Sequence, residues 1–441
     1  MALKTRNTSV SLSNHTAGML ATEYGTIFDV DVTVGNQTFQ LQVDTGSSDL
    51  WVAKTGFICI NQTSNLELPE EECEYSSHLY NISDTYRQIA NETFGVQYGD
   101  GIVGGAMAYE DITLGGITVK GQKIGIGERS TPMGDGVNSG LIGLAYPALT
   151  SAHPGTNISN TSYFYDRAVY SPLFNTMYER GLVDPYFSIT LARTPQNSSS
   201  GFGGYLSLGE LPPVAHSPNF SVVPVEVTEN IPLNFTSGKR VRSYWSISIS
   251  GATYGPASNG SDSDDSSSSS SLTTNSTSFQ AFVDSGNYVS FLPAAIVDPI
   301  NKMFSPPATY DASLSAWVVD CAATAPTFGL QIGNQTFFHN GSDLIYQLGD
   351  ICITSLTSSE SVAYEGVVLN IIGVPLLKNV VAVFDFGNNE MRFSRLLDNE
   401  TAAANTSTSQ VTSGESPAVV RPLKSTALAL SAAVLLAVLV G

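Results

Sequence analysis

One short motif occurs twice, far apart in the chain. Asp44-Thr45-Gly46-Ser47 interrupts an apolar run, with Leu41 and Val43 before it and Leu50, Trp51 and Val52 after it. Asp284-Ser285-Gly286-Asn287 interrupts another, between Phe282-Val283 and Val289, Phe291 and Leu292. A carboxylate, a hydroxyl residue and a glycine among strand formers, once in each half, predict two lobes that each bring one Asp to a shared cleft. Two carboxylates held close together cannot both ionise easily, so one pKa rises and the pair retains one proton. Such a pair can take a proton from water with one member and give a proton with the other.

The flanking sequence repeats as well. Leu141-Ile142-Gly143-Leu144-Ala145-Tyr146 follows the first Asp, and Ile371-Ile372-Gly373-Val374 follows the second. Glycine after two large apolar residues lets a strand pass closely beneath each Asp loop, because it has no Cβ. Tyr98-Gly99-Asp100-Gly101, between strand-like segments, reads as a hairpin tip that could cover the cleft.

With these residues in view, the chain resembles the pepsin-like aspartic endopeptidases, and most closely a fungal, GPI-anchored, yapsin-like member. The resemblance covers roughly residues 20–397. It rests on both Asp motifs, Trp51, the flap Tyr98, both glycine strands, Phe187-Ser188-Ile189, Tyr244-Trp245-Ser246-Ile247 and Val383-Phe384-Asp385. It implies an all-β, bilobal double-barrel fold with a pseudo-two-fold axis and the active site between the lobes. The implied catalytic residues are Asp44 and Asp284. Thr45, Gly46, Ser47, Ser285, Gly286 and Asn287 would support them, with Thr45 and Ser285 cross-linking the two loops and Ser47 orienting Asp44. Tyr98, Gly99 and Asp100 would form the substrate-binding flap, with Tyr98 bonded to Trp51. Two positions depart from the family pattern. Asn287 stands where Ser or Thr is usual, and Val374 where Asp often follows the second glycine. An acid at the Asp100 position resembles a partner for a basic P1 side chain, although a plain turn Asp reads the same way. Tyr98 as a core aromatic is the other reading of that residue.

The chain has 441 residues, 42% of them hydrophobic and 13% charged, with a formal net charge of −20. That length predicts two domains, and that charge speaks against nucleic acid as a partner. Strand patterns dominate; Trp245, Ile247 and Ile249 alternate with serines, as in a half-buried strand. One helix is expected where Leu173, Phe174, Met177 and Tyr178 recur between Pro172 and Gly181. The expected organisation is a polar segment 1–19, a first lobe 20–190 and a second lobe 191–397. Within the second lobe, the Ser/Asp-rich residues 256–278 are expected to form a disordered loop. A Ser/Thr-rich linker 398–424 and an apolar tail 425–441 follow.

The five histidines are scattered and no Cys-x-x-Cys occurs, so neither a metal nor another cofactor is expected. Four cysteines allow three pairings. Proximity and the family pattern favour Cys59 with Cys73 and Cys321 with Cys352, against four free thiols. The insert between the first two carries Glu67, Glu70, Glu71 and Glu72, which reads as a solvated acidic loop or as an attractor of basic substrates.

Abundant Asn-x-Ser/Thr sequons, including those at Asn36, Asn61, Asn91, Asn234 and Asn334, predict a glycosylated protein of the secretory pathway. Residues 1–20 lack an apolar core and are not a signal peptide; the resemblance implies that a signal and a propeptide precede the enzyme. The tail is short for a membrane span. With Ser413 and Gly414 as candidate ω positions it matches a lipid-anchor signal, a transmembrane anchor being the alternative. The expected activity is cleavage of polypeptides in acid by a monomer on the cell surface. The other class in play is a catalytically weakened relative that binds peptides or cell-wall material.

Overall fold

The computed structural model describes residues 15–99, 101–156, 167–194, 198–257, 272–362 and 367–397. Asp100, the candidate ω residues Ser413 and Gly414, the linker and the apolar tail lie outside the described residues.

The fold is built almost wholly of strands. A 14-stranded sheet runs from Ser221–Pro224 at one edge to Ala152–Pro154 at the other. It is joined by an eight-stranded and a four-stranded sheet, both made from the second half of the chain. The described residues contain three short α-helices, Leu173–Glu179, Ala294–Asn301 and Val374–Leu377. The first is the helix read from the sequence: Pro172 precedes it, and Gly181 beyond it takes a φ of +69° that only glycine adopts readily.

Both halves use the same device to carry their Asp. The strand Gln37–Asp44 runs parallel to Gly140–Gly143, with Asp44 opposite Gly143, and that strand is in turn antiparallel to Leu50–Cys59. In the second half Phe279–Val283 runs parallel to Ile371–Ile372, which is antiparallel to Ser290–Leu292. The glycines are needed for the close passage. A Cβ on Gly143 would stand 2.5 Å from the Ser48 nitrogen, and one on Gly373 would stand 2.2 Å from the Asn287 carbonyl oxygen.

Between the lobes, Tyr186–Leu191 pairs with Val380–Asp385. Its residues Phe187 and Ile189 are fully buried. Phe187 stacks on Phe384 at 4.7 Å between centroids, and both meet Trp245, whose indole N–H donates to the Leu144 carbonyl at 3.0 Å. Each such aromatic contributes about 1.5–3 kcal/mol by burial, and the cluster fixes one lobe against the other. Trp245 thus ties the floor of the first Asp loop to the sheet of the second half. Ile247 and Ile249 face the core while Ser248 and Ser250 are exposed, as the alternation predicts, but Ser246 at the head of the strand Ser246–Gly255 is fully buried, its hydroxyl 2.8 Å from that of Thr228.

Three boundaries differ from expectation. The first strand begins at Thr16, because Thr16 to Ala21 pair with the strand Gly201–Leu208. The cut at 190/191 falls inside the strand Tyr186–Leu191, in a sheet that both halves share. Within the Ser-rich insert, Thr273–Asn275 adds to the strand Ser246–Gly255 through Ala252 to Tyr254; backbone pairing at a sheet edge needs no apolar side chain. Residues 258–271 of that insert lie outside the described residues.

Candidate active site

The two Asp loops meet at the centre of the molecule and cross-link reciprocally. The Thr45 hydroxyl donates to the Val283 carbonyl at 3.0 Å, and the Ser285 hydroxyl donates to the Val43 carbonyl at 2.7 Å. In return, the Ser285 N–H donates to the Thr45 hydroxyl at 2.9 Å and the Thr45 N–H to the Ser285 hydroxyl at 3.1 Å. All four bonds are buried, where an unmade bond is costly.

The carboxyl groups of Asp44 and Asp284 are buried and in hydrogen-bonding contact with each other. Each lies over the glycine of the opposite loop. A Cβ on Gly46 would stand 2.6 Å from Asp284 Oδ2, and one on Gly286 2.7 Å from Asp44 Oδ1. Each glycine also donates its N–H to the Asp of its own loop, Gly46 to Asp44 at 2.7 Å and Gly286 to Asp284 at 2.9 Å. Burial pushes the Asp44 carboxyl above its ordinary range, against the Ser47 hydroxyl and the Gly46 N–H, which favour the charge. Asp284 is pushed well above its range, by burial first and by the charge of Asp44 second. The two carboxyls therefore titrate as one unit and hold one proton between them, with the Ser47 hydroxyl and the Gly46 N–H favouring the charge on Asp44.

The two halves differ at the fourth motif position. The Ser47 hydroxyl donates to Asp44 Oδ2. Asn287 has no equivalent bond to Asp284. Its side-chain oxygen instead accepts from the Val289 N–H at 3.4 Å. The longer amide turns back on its own loop, as Asn side chains commonly do, and does not do for Asp284 what the Ser47 hydroxyl does for Asp44.

A hairpin tip forms at Tyr98, as the sequence predicted. Arg87–Gln97 and Ile102–Leu114 are antiparallel with Gln97 opposite Ile102, and the Tyr98 N–H closes the tip onto the Gly101 carbonyl at 2.7 Å. The Tyr98 hydroxyl accepts from the Trp51 indole N–H at 2.9 Å. Burial, then the nearby Asp49 and Asp44, raise the Tyr98 pKa far above its ordinary value, so it stays a neutral hydroxyl. Gly99 lies at the tip; Asp100 lies outside the described residues.

Cys59 is bonded to Cys73 and Cys321 to Cys352, the local pairing. Within the first loop, Glu67, Glu70, Glu71 and Glu72 are all exposed, consistent with solvated side chains.

Asp49 went unnoticed in the sequence. It is fully buried five residues after Asp44, and accepts from the Tyr170 hydroxyl at 2.6 Å and the Ser151 N–H at 3.0 Å. An acid directly before the apolar Leu50-Trp51-Val52 run was the available signal, since such a position stays charged only with dedicated donors. Tyr244 was noted only as part of a motif. It stacks on Phe282 at 4.4 Å and lies close enough to both Asp residues for their charges to act on it; burial pushes its hydroxyl up to about 12.

Residues 25–396 match the eukaryotic aspartyl protease family model. A probable aspartic-type endopeptidase of Aspergillus fumigatus is 37% identical over 385 residues, which span 86% of this chain and 80% of that protein. Penicillopepsin-1 of Penicillium janthinellum is 24% identical over 370 residues, 82% of this chain and 93% of that protein. The crystal structure of an aspartic proteinase from Irpex lacteus shares the fold, with a TM-score of 0.62 at 18% identity, over 88% of this chain and 98% of that one. The chain belongs to the eukaryotic aspartyl protease family, and its class is that of the pepsin-like aspartic-type endopeptidases.

Proposed function

We propose that the chain is an acid-acting endopeptidase of the fungal cell surface, of the GPI-anchored yapsin-like kind, that hydrolyses polypeptides through a water held between Asp44 and Asp284. The observation that carries this reading is the reciprocal seating of each carboxyl over the other loop's glycine, which holds the two so close that the pair retains one proton.

The chemistry follows from that proton. Asp44 takes a proton from the water as its oxygen attacks the peptide carbonyl carbon. Asp284 gives its proton to the carbonyl oxygen, which yields a neutral tetrahedral diol. Asp44 then passes its proton to the nitrogen, Asp284 recovers one from a hydroxyl, and the C–N bond breaks. No covalent intermediate forms.

Two disulfides and the many sequons support an oxidising secretory route and a glycosylated product. The apolar tail supports a lipid anchor at Ser413 or Gly414 at the cell surface. Asp100, two residues after Tyr98, supports a preference for a basic P1 side chain.

The Asn287 side chain, bonded to the Val289 N–H and not to Asp284, favours a second reading, in which turnover is weakened and the cleft chiefly binds peptide. One experiment decides between them. The purified, processed protein is incubated with a peptide library at acid pH, with and without a statine-type inhibitor that mimics the tetrahedral diol. Cleavage abolished by the inhibitor supports the enzyme; bound but uncleaved peptide supports the weakened relative.

A further inference from the structure

A second pair of carboxyl groups meets in the first lobe, apart from the dyad. Asp29 sits within Ile27–Val34, between Leu20 on one neighbouring strand and Gln42 on the other, and is fully buried. Donors for it are scarce. Oδ1 has none among the described residues, and Oδ2 has only the Thr22 hydroxyl at 3.5 Å. That hydroxyl carries one proton and lies far closer to Asp135 Oδ2, at 2.5 Å. Asp135 also accepts from the N–H groups of Val137 and Asn138, at 2.9 and 2.7 Å on Oδ1.

The two carboxyls are in hydrogen-bonding contact. One hydroxyl cannot serve both carboxyls, so their contact needs a proton of its own, shared between Asp29 and Asp135. The surrounding charges agree. Asp135 and Glu74 both act on Glu23, just past the strand Thr16–Thr22, so this corner is acidic. Lys378 lies 5.9 Å over the Phe28 ring. Phe28 and Asp29 are successive strand residues and point to opposite faces, so this cation does not reach Asp29. Burial first, then the charge of Asp135, hold the Asp29 carboxyl well above its ordinary range.

Asp135 belongs to residues 131–139, which brace the flap. The Thr131 N–H donates to the Ile102 carbonyl at 3.0 Å, and the Ile102 N–H to the Thr131 hydroxyl at 2.9 Å. A Cβ on Gly101 would stand 2.1 Å from the Thr131 hydroxyl oxygen and 2.5 Å from Met133 Cγ, so the flap base rests directly on this segment. Its other side bonds to the disulfide-closed insert, Gly134 to Cys73 at 2.9 Å and Gly136 to Glu74 at 2.5 Å.

We propose that Asp29 and Asp135 are a proton-dependent latch: one shared proton fastens residues 131–139 to the strand Ile27–Val34 in acid, and its loss toward neutrality frees that segment and the flap base resting on it. A carboxyl whose pKa is raised by folding contributes stability in acid and loses it as pH rises through the folded value. The latch therefore opens on the neutral side, where the charge on the buried Asp29 and that on the half-buried Asp135 repel.

Asp29→Asn tests it, because the amide donates to Asp135 without titrating. Hydrogen exchange of residues 131–139, corrected for the intrinsic pH effect, should rise toward neutrality in the wild type and stay flat in Asp29→Asn. The midpoint of neutral-side thermal destabilisation should move up by about one pH unit. Neither readout needs turnover, so they stand or fall apart from the peptidase reading. The upper limb of the kcat/KM profile rests on that reading and should move the same way. Asp135→Asn, which also removes the repulsion, serves where Asp29→Asn does not fold. Wild-type pH dependence of exchange and melting in the variant that folds would overturn the proposal.

Discussion

Thr45 and Ser285 each give a hydroxyl proton to the backbone of the other lobe and each take an N–H from it. The residues are 240 positions apart in sequence. The two Asp loops are therefore one mechanical unit, and the angle between the carboxyl planes is set by these four bonds, not by packing alone.

That unit predicts a separation of effects. Ser285→Ala leaves the Thr45 N–H and the Val43 carbonyl without their partner, a cost of about 1–3 kcal/mol, and lets the carboxyls shift relative to each other. Melting should fall modestly and kcat/KM by about tenfold or more, since misplacement at a reacting centre costs more than the bond itself. Thr45→Val should behave alike. Calorimetry and peptide kinetics on one preparation check it; a rate loss no larger than the stability loss implies would refute it.

Asp44→Asn and Asp284→Asn should each lower kcat by at least about a thousandfold, because the pair works only while sharing one proton. Each amide should still bind a statine-type inhibitor, more weakly, as the cleft is intact. Titration calorimetry separates the two effects. A substantial residual rate in either variant contradicts the dyad.

The stability of the fold should also carry an acid-side signature from His339. Its ring is buried against Phe328 at 4.7 Å, with neither nitrogen hydrogen-bonded among the described residues. Burial lowers its pKa from 6.5 to about 4. Below pH 6.5 the unfolded chain binds a proton that the folded one refuses, so stability falls as pH drops from there to about 4. The loss approaches about 3 kcal/mol. His339→Phe should raise the melting temperature at pH 4 more than at pH 7. An equal gain at both would show that the ring is not held neutral.

The sequence made the paired site legible because each Asp motif carries its own local context of strand formers and a glycine strand, and the first adds a hairpin with a tyrosine. Strand alternation around Ile247 and the helix from Leu173 to Glu179 were readable for the same reason. Partners distant in sequence were not. Asp49 finds Tyr170, and Asp29 finds Asp135, only after the sheets have closed. Neither meeting leaves a spacing to detect. The strand Thr273–Asn275 was hidden because its pairing is made by backbone, to which a Ser/Thr composition is indifferent.

Asn287 gives the most discriminating prediction. On the first loop, the Ser47 hydroxyl fixes the outer oxygen of Asp44. On the second, the Asn287 side chain bonds to the Val289 N–H, and Asp284 has the Gly286 N–H at 2.9 Å as the bond from its own loop. A hydroxyl at this position is shorter than the amide and can donate to the carboxylate as Ser47 does. It would steady Asp284, at the expense of a weak 3.4 Å contact. Asn287→Thr should therefore raise kcat/KM, by up to about tenfold, which is about 1.4 kcal/mol in barrier. The new bond also favours the ionised form of Asp284, so the upper limb of the pH profile should move down. Both proteins are assayed on one peptide across the acidic range. A large fall in rate would show that the Asn287 contact with Val289 shapes the loop, and that the asymmetry between the two halves is part of the working site. A silent wild type rescued by Asn287→Thr would instead establish that the natural chain binds peptides without cutting them.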